Sequence, residues 1–145
     1  MRLIIAGSRD IPQAEALGYI EAWLQGEPVP DEIIGGGCKG PDRAGAAYAA
    51  THGIPYKLFR ANWTNYGESA GPLRNGEMAT YAAKGGDGYL LLIWDGGSMG
   101  SADMLRKAKR AKLRIIEKIV EPENERRRED RGSSIRNRKS RKPGG

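Results

Sequence analysis

The chain has 145 residues, of which 21 are glycine, with 39% hydrophobic and 29% charged residues. This length suits a single domain built around one hydrophobic core. The glycines do not follow the three-residue period of collagen, and no apolar run approaches the roughly 18 residues of a membrane span, so fibrous and membrane-spanning proteins are excluded. The first apolar run is too short for a secretory signal, and the single cysteine, Cys38, cannot form an internal disulfide. We therefore expect a cytoplasmic protein.

The net charge of +6 is concentrated near the C-terminus. Residues 121–145 carry nine Lys or Arg against five Asp or Glu, whereas residues 1–120 carry fifteen against thirteen. The C-terminal segment has one large aliphatic residue, Ile135, and cannot bury enough apolar surface to offset the entropy lost on ordering. We predict a folded domain over residues 1–120 and a basic disordered tail over residues 121–145.

Short apolar segments alternate with helical patterns along the folded part. The strands are expected at Leu3–Ala6, Glu32–Ile34, Ile54–Phe59, Tyr89–Trp94 and Leu113–Val120. Strands that are apolar almost throughout are typical of a sheet covered by helices on both faces. The alternation predicts an α/β fold, a Rossmann-like open parallel sheet of four to five strands flanked by helices.

Three glycine clusters each follow a predicted strand and precede a predicted helix, at Gly7–Asp10, Gly35–Arg43 and Gly96–Ser101. In a parallel sheet these clusters lie at one edge, where backbone N–H groups and helix N-termini favour an anion such as phosphate. For any one cluster, glycines that only make a short turn explain the pattern. Three clusters at equivalent positions favour phosphate or nucleotide binding.

Gly36–Arg43, Gly71–Asn75 and Gly96–Met104 resemble, in order and spacing, the YspA-like branch of the SLOG superfamily. That superfamily includes the DprA/SMF DNA-processing proteins and the LOG phosphoribohydrolases. The resemblance covers residues 1–118 and implies a Rossmann-like fold that binds nucleotides or nucleotide-derived ligands, in bacteria or phages. LOG-like relatives also imply a homodimer.

The resemblance places the three glycine loops at the ligand. The loop residues expected there are Gly7, Ser8, Arg9, Gly36, Gly37, Lys39, Gly40, Asp42, Gly96, Gly97, Ser98, Gly100, Ser101 and Asp103. Arg74 is expected to bind a phosphate and Asn75 a base or ribose, unless they are a surface arginine and a turn residue. Trp63, in a segment predicted to be a polar loop, either stacks on a nucleobase or packs that loop on the domain. Asp42 either orients a ribose hydroxyl or complements a helix N-terminus.

The position that holds a glutamate in LOG enzymes is occupied by Met104, and Ser101 replaces the threonine of their motif. Asp103 lies one residue earlier, a rotation of about 100° on a helix, so its carboxylate cannot simply replace the glutamate. A LOG-like phosphoribohydrolase is therefore disfavoured. If a reaction occurs, Asp103 or Asp42 is expected to handle a proton. The sequence has no cluster of His and Cys typical of a zinc site, and no metal is predicted.

These observations predict a binding protein, sensor or processing domain for a nucleotide or nucleotide derivative, either ADP-ribose-like or NAD-like or a nucleoside phosphate. The alternative is an accessory protein that binds nucleic acid through its basic tail.

Overall fold

The computed structural model describes residues 1–121 as a five-stranded parallel sheet with helices on both faces. Its elements are β1 Arg2–Gly7, α1 Gln13–Leu24, β2 Glu32–Gly35, α2 Pro41–His52, β3 Tyr56–Leu58, α3 Trp63–Tyr66, a 3₁₀ turn Gly67–Ser69, α4 Ala70–Ala83, β4 Gly88–Trp94, α5 Met99–Arg110 and β5 Arg114–Ile119. The predicted fold class is confirmed, with five strands in the order β3-β2-β1-β4-β5.

Alternate side chains of each strand enter two separate hydrophobic cores, because successive residues of a strand point to opposite faces. Leu3 and Ile5 of β1 pack in the core that holds the buried side chains of α1 and α2. Ile4 and Ala6 pack on the other face, with the buried side chains of α4 and α5. The near-continuous apolar runs of the sequence therefore reflect a sheet that helices cover on both faces.

The strand order reverses at β1, which lies between β2 and β4. Pairing of β1 with β2 runs only from Arg2 to Ile4, whereas pairing with β4 continues to Gly7. In open α/β sheets a ligand crevice forms outside the carboxyl ends of the strands at such a reversal. The sheet topology thus predicts a site beyond the ends of β1 and β4.

Local signals agree with the observed helix ends at several points. Pro41 is the first residue of α2, and Gly53 ends that helix in the left-handed conformation with φ of +67°.

The predicted polar loop around Trp63 is wrong, because Trp63–Tyr66 forms the short helix α3. The side-chain oxygen of Asn62 caps it by accepting from the Asn65 N–H at 3.1 Å.

The predicted disordered tail lies outside the described residues from position 122 onward. Within residues 1–121, no helix has both the length and the apolar character needed to cross a membrane.

The close approach of β1 to β4 can be tested by a substitution at Gly7. A Cβ at this position would collide with the backbone carbonyl of Ile93. We expect Gly7→Ala to lower the free energy of unfolding by about 1–3 kcal/mol, as overpacking does elsewhere. Gly18→Ala, in α1, is the matched control, since a Cβ there has open space and should stabilise the helix by about 0.5–1 kcal/mol. Urea unfolding measures both, and a Gly7→Ala variant as stable as the wild type would contradict the packing described.

Candidate functional site

A cleft of about 460 Å³ opens beyond the carboxyl ends of β1 and β4. Its lining comes from the loop after β1, the loop after β2, the segment from α3 into α4, and the first two turns of α5. This volume falls within the range of small-molecule sites. The cleft lies where the reversal of strand order predicts a ligand.

Eleven of the seventeen predicted ligand residues line this cleft. They are Gly7, Ser8, Arg9, Asp42, Trp63, Arg74, Asn75, Ser98, Gly100, Ser101 and Asp103. The lining does not include the remaining six, Gly36, Gly37, Lys39, Gly40, Gly96 and Gly97. The structure therefore brings most of the predicted residues together from four separate segments, and their binding role stays a prediction.

Two glycines outside the lining shape the loops around the cleft. The N–H of Gly36 donates to the Asp42 carboxylate at 3.1 Å, and a Cβ on Gly36 would collide with the Arg74 guanidinium. Gly40 has φ of +79°, and a Cβ at this position would lie only 2.8 Å from the carbonyl oxygen of Ile11 and 2.9 Å from that of Ser8. The absence of a side chain at both positions permits close packing between protein segments.

Arg74 and Asn75 connect three segments at the cleft, and we call this pair the Arg74–Asn75 brace. Arg74 donates from Nη1 to the Gly36 carbonyl at 3.0 Å and from Nε to the Asn75 side-chain oxygen at 3.1 Å. Asn75 donates to Asp103 at 3.0 Å and to the Gly100 carbonyl at 3.3 Å. The brace thus joins the loop after β2 to α4 and to α5. Two donors of the predicted phosphate-binding guanidinium are directed at the protein itself.

The negative charge of Asp103 is balanced by positively charged neighbours. Its carboxylate contacts Lys107 Nζ at 3.0 Å and Arg106 Nη2 at 3.3 Å, and it accepts from Asn75. Partial burial alone would raise the pKa of Asp103, but the hydrogen bonds from Asn75 and Lys107 and the two positive charges hold it below its usual value. Met104, at the LOG glutamate position, is 1% exposed and packs in the core between sheet and α5. No carboxylate is therefore available at that position.

Asp42 has a different environment from Asp103. It lies in the first turn of α2 with only 4% of its surface exposed. Burial raises the pKa of Asp42 to about 6, although the backbone N–H groups of Gly36 and Cys38 and the charge of Arg74 act in the opposite direction. A cleft carboxyl with a pKa this close to neutrality is suited to gaining or losing a proton.

The N-terminus of α5 has no side-chain cap within the described residues. Ser98 occupies the capping position, but its hydroxyl is hydrogen-bonded to the Ser8 hydroxyl at 2.8 Å. Asp95 accepts instead from the N–H groups of Gly97 and Ser98, at 2.9 and 2.8 Å. The first-turn N–H groups, including those of Gly100 and Ser101, are left for another acceptor, and the helix dipole makes this end positive.

Sequence reasoning missed several residues of the cleft lining, among them Glu68, Met99 and Arg106. Glu68 belongs to no motif, and Arg106 opens a basic run over residues 106–112, a pattern that is typical of a solvated helix face. Met99 is the first residue of α5, and its side chain is 85% exposed beside the cleft. Across residues 1–121 there is no group of three or more His, Cys, Asp or Glu side chains that could hold a metal ion.

A comparison with protein-family models gave a match to the N-terminal part of the chain. Residues 1–66 match the family model described as YAcAr, the YspA, cpYpsA-related SLOG family. The match covers slightly less than half of the chain and supports its membership of the YspA-like SLOG family, which suggests nucleotide-related binding in general. Searches of curated proteins and of solved structures gave no match.

The raised pKa of Asp42 predicts a specific dependence of stability on pH. Folding raises the pKa from 3.8 to about 6, so ionisation of Asp42 destabilises the fold above pH 6 and protonation relieves this cost as the pH falls. Protonation of Asp42 should therefore raise the free energy of unfolding by about 1 kcal/mol as the pH is lowered from 7.5 to 5. Asp42→Asn should remove this gain. Urea unfolding of both proteins across this range measures the difference, and parallel profiles would contradict the assignment.

Proposed function

We propose that the cleft binds a nucleotide or a nucleotide derivative, either ADP-ribose-like or NAD-like or a nucleoside phosphate. The observation that carries this proposal is the uncapped N-terminus of α5, which lines a cleft at the reversal of strand order. A helix N-terminus of this kind favours an anionic group of the ligand.

The phosphate end of the ligand is assigned to α5 and to the loop after β1. The N–H groups of Gly100 and Ser101 are the donors on α5, and both residues line the cleft. The hydrogen bond between Ser8 and Ser98 holds the two loops together at 2.8 Å. Arg9, the residue after Ser8, lines the same cleft and is exposed. Its planar guanidinium can bind a phosphate through two parallel hydrogen bonds.

The base of the ligand is assigned to Trp63. This side chain is 58% exposed, and its ring lies 3.5 Å from where a Cβ of Gly71 would be. Among residues 1–121 the Trp63 indole makes no hydrogen bond and stacks on no other ring. Large apolar side chains exposed at a cleft mark binding sites, and Met99 supplies a second one on α5. A base stacked on an aromatic ring gains about 1–3 kcal/mol.

The proposal is a binding or sensing function rather than LOG-type hydrolysis. Met104 offers no carboxylate at the position of the LOG glutamate, and Asp103 is ion-paired with Lys107 and Arg106. If the ligand is processed, Asp42 is the group in the cleft that can exchange a proton near neutral pH.

Nucleic-acid binding through the tail stays a prediction, because the tail lies outside the described residues from position 122 onward. The homodimer and the cytoplasmic location stay predictions in the same way.

Thermal unfolding with AMP, ADP-ribose and NAD tests the proposal, since a ligand that binds the folded state raises the midpoint temperature. Trp63→Ala should weaken binding of the effective ligand by about 5- to 150-fold, the loss expected for one stacked base. Arg9→Gln should weaken it as well. Tyr66→Ala and Arg43→Gln are matched controls, since both side chains are exposed and neither lines the cleft.

Calorimetric titration then gives the affinities of the four variants. The proposal is overturned if none of the three compounds raises the midpoint temperature. It is also overturned if the two controls lose as much affinity as the two cleft variants.

A further inference from the structure

The positive charge of the folded domain is concentrated in the second half of α5 and the turn that follows it. Residues 106–112 contain five Lys or Arg and no Asp or Glu. The remaining residues of 1–120 carry ten Lys or Arg against thirteen Asp or Glu. An otherwise acidic domain therefore has one strongly basic segment.

The structure places three of these cations on one side of α5, and we call them the basic face: Arg106, Lys109 and Arg110. They lie three and four residues apart, a spacing that keeps them within about 100° of the helix circumference. All three are exposed, and the opposite side of α5 packs against the sheet. Lys112, also exposed, follows two residues after the helix and donates its backbone N–H to the Lys109 carbonyl.

The charges of the basic face are largely unpaired. Lys109, Arg110 and Lys112 form no ion pair with any residue in the described part of the chain, positions 1–121. Arg106 contacts Asp103 at 3.3 Å, but 64% of its side chain remains exposed. The helix dipole adds only about half a negative charge at the end of α5. It offsets a small part of the positive charge, so the face attracts anions.

We propose that the basic face binds the phosphate backbone of double-stranded DNA. This surface is separate from the proposed contacts of the nucleotide, so the proposal does not depend on the function of the cleft. A duplex carries one negative charge per about 1.7 Å of its axis. Since α5 rises by about 6 Å from Arg106 to Arg110, the face meets several phosphates at once. The counterions released from these phosphates drive the binding.

The composition of the segment favours a DNA duplex over other anionic partners. Its only uncharged residues are Ala108 and Ala111, so it offers no aromatic ring on which the bases of a single strand could stack. Protein interfaces have an apolar core and are depleted in lysine, which is the opposite of this surface. A helix that binds a membrane surface inserts its apolar side, whereas that side of α5 is already packed on the sheet.

Fluorescence anisotropy with the full chain and a labelled duplex of about 20 base pairs tests the proposal. The double variant Lys109→Gln/Arg110→Gln should bind about 10-fold or more weakly at about 50 mM salt. Its plot of log affinity against log salt concentration should be less steep by about 2, because each lost phosphate contact removes about 0.9 from the slope. Lys109→Arg/Arg110→Lys keeps both charges and should bind as the wild type does.

Arg43→Gln/Arg60→Gln is the matched control, since it removes two exposed cations outside α5. It should leave the affinity within about 3-fold of the wild type, because neither residue belongs to the basic face.

The proposal is overturned if the duplex does not bind, or if Lys109→Gln/Arg110→Gln keeps the affinity and salt dependence of the wild type. Equal losses in the control or in the charge-preserving variant also overturn it. So does tighter binding of a single strand of the same length, or displacement of the duplex by polyglutamate at an equal concentration of charges. None of these results bears on nucleotide binding in the cleft, which is measured separately.

Discussion

The position of β1 between β2 and β4 is the constraint on which the site depends. Leu3, Ile4 and Ile5 are fully buried, so hydrophobic packing on both faces of the sheet holds β1 in place. Its pairing with β2 stops at Ile4, while its pairing with β4 continues to Gly7. The loops after β1 and β4 therefore leave the sheet side by side, and the Ser8–Ser98 hydrogen bond joins them. The cleft and the N-terminus of α5 meet as a consequence of this topology.

The Arg74–Asn75 brace connects the segments around the cleft in addition to the Ser8–Ser98 hydrogen bond. A polar network that is partly shielded from water stabilises one arrangement when its members are satisfied, because a lower local dielectric makes unpaired groups more costly. Here the network connects the loop after β2 with α4 and α5 through Gly36 and Asp103. Since Arg74 is committed to these contacts, the proposal assigns the phosphate to backbone N–H groups and to Arg9. Preorganised donors of this kind lose little entropy when a ligand binds.

Much of the fold could be predicted from the sequence because its signals are local. Apolar runs mark the strands, and the three glycine clusters each follow a strand as expected. The helix at Trp63 was missed because it depends on a single cap by Asn62. The partners of Arg74 were missed because Gly36 is 38 residues away and their contact exists only in the folded chain. Glu68 gives no signal at all, since its position in the cleft follows from tertiary structure alone.

The most direct test of the central claim is a titration of isotope-labelled protein with AMP, followed by the backbone amide and indole N–H signals in NMR spectra. The account predicts that the amides of Gly100 and Ser101 and the indole of Trp63 show the largest shifts, and that these shifts saturate together. Shifts confined to the C-terminal end of α5, around Lys109 and Arg110, with Gly100 and Trp63 unchanged, would contradict it.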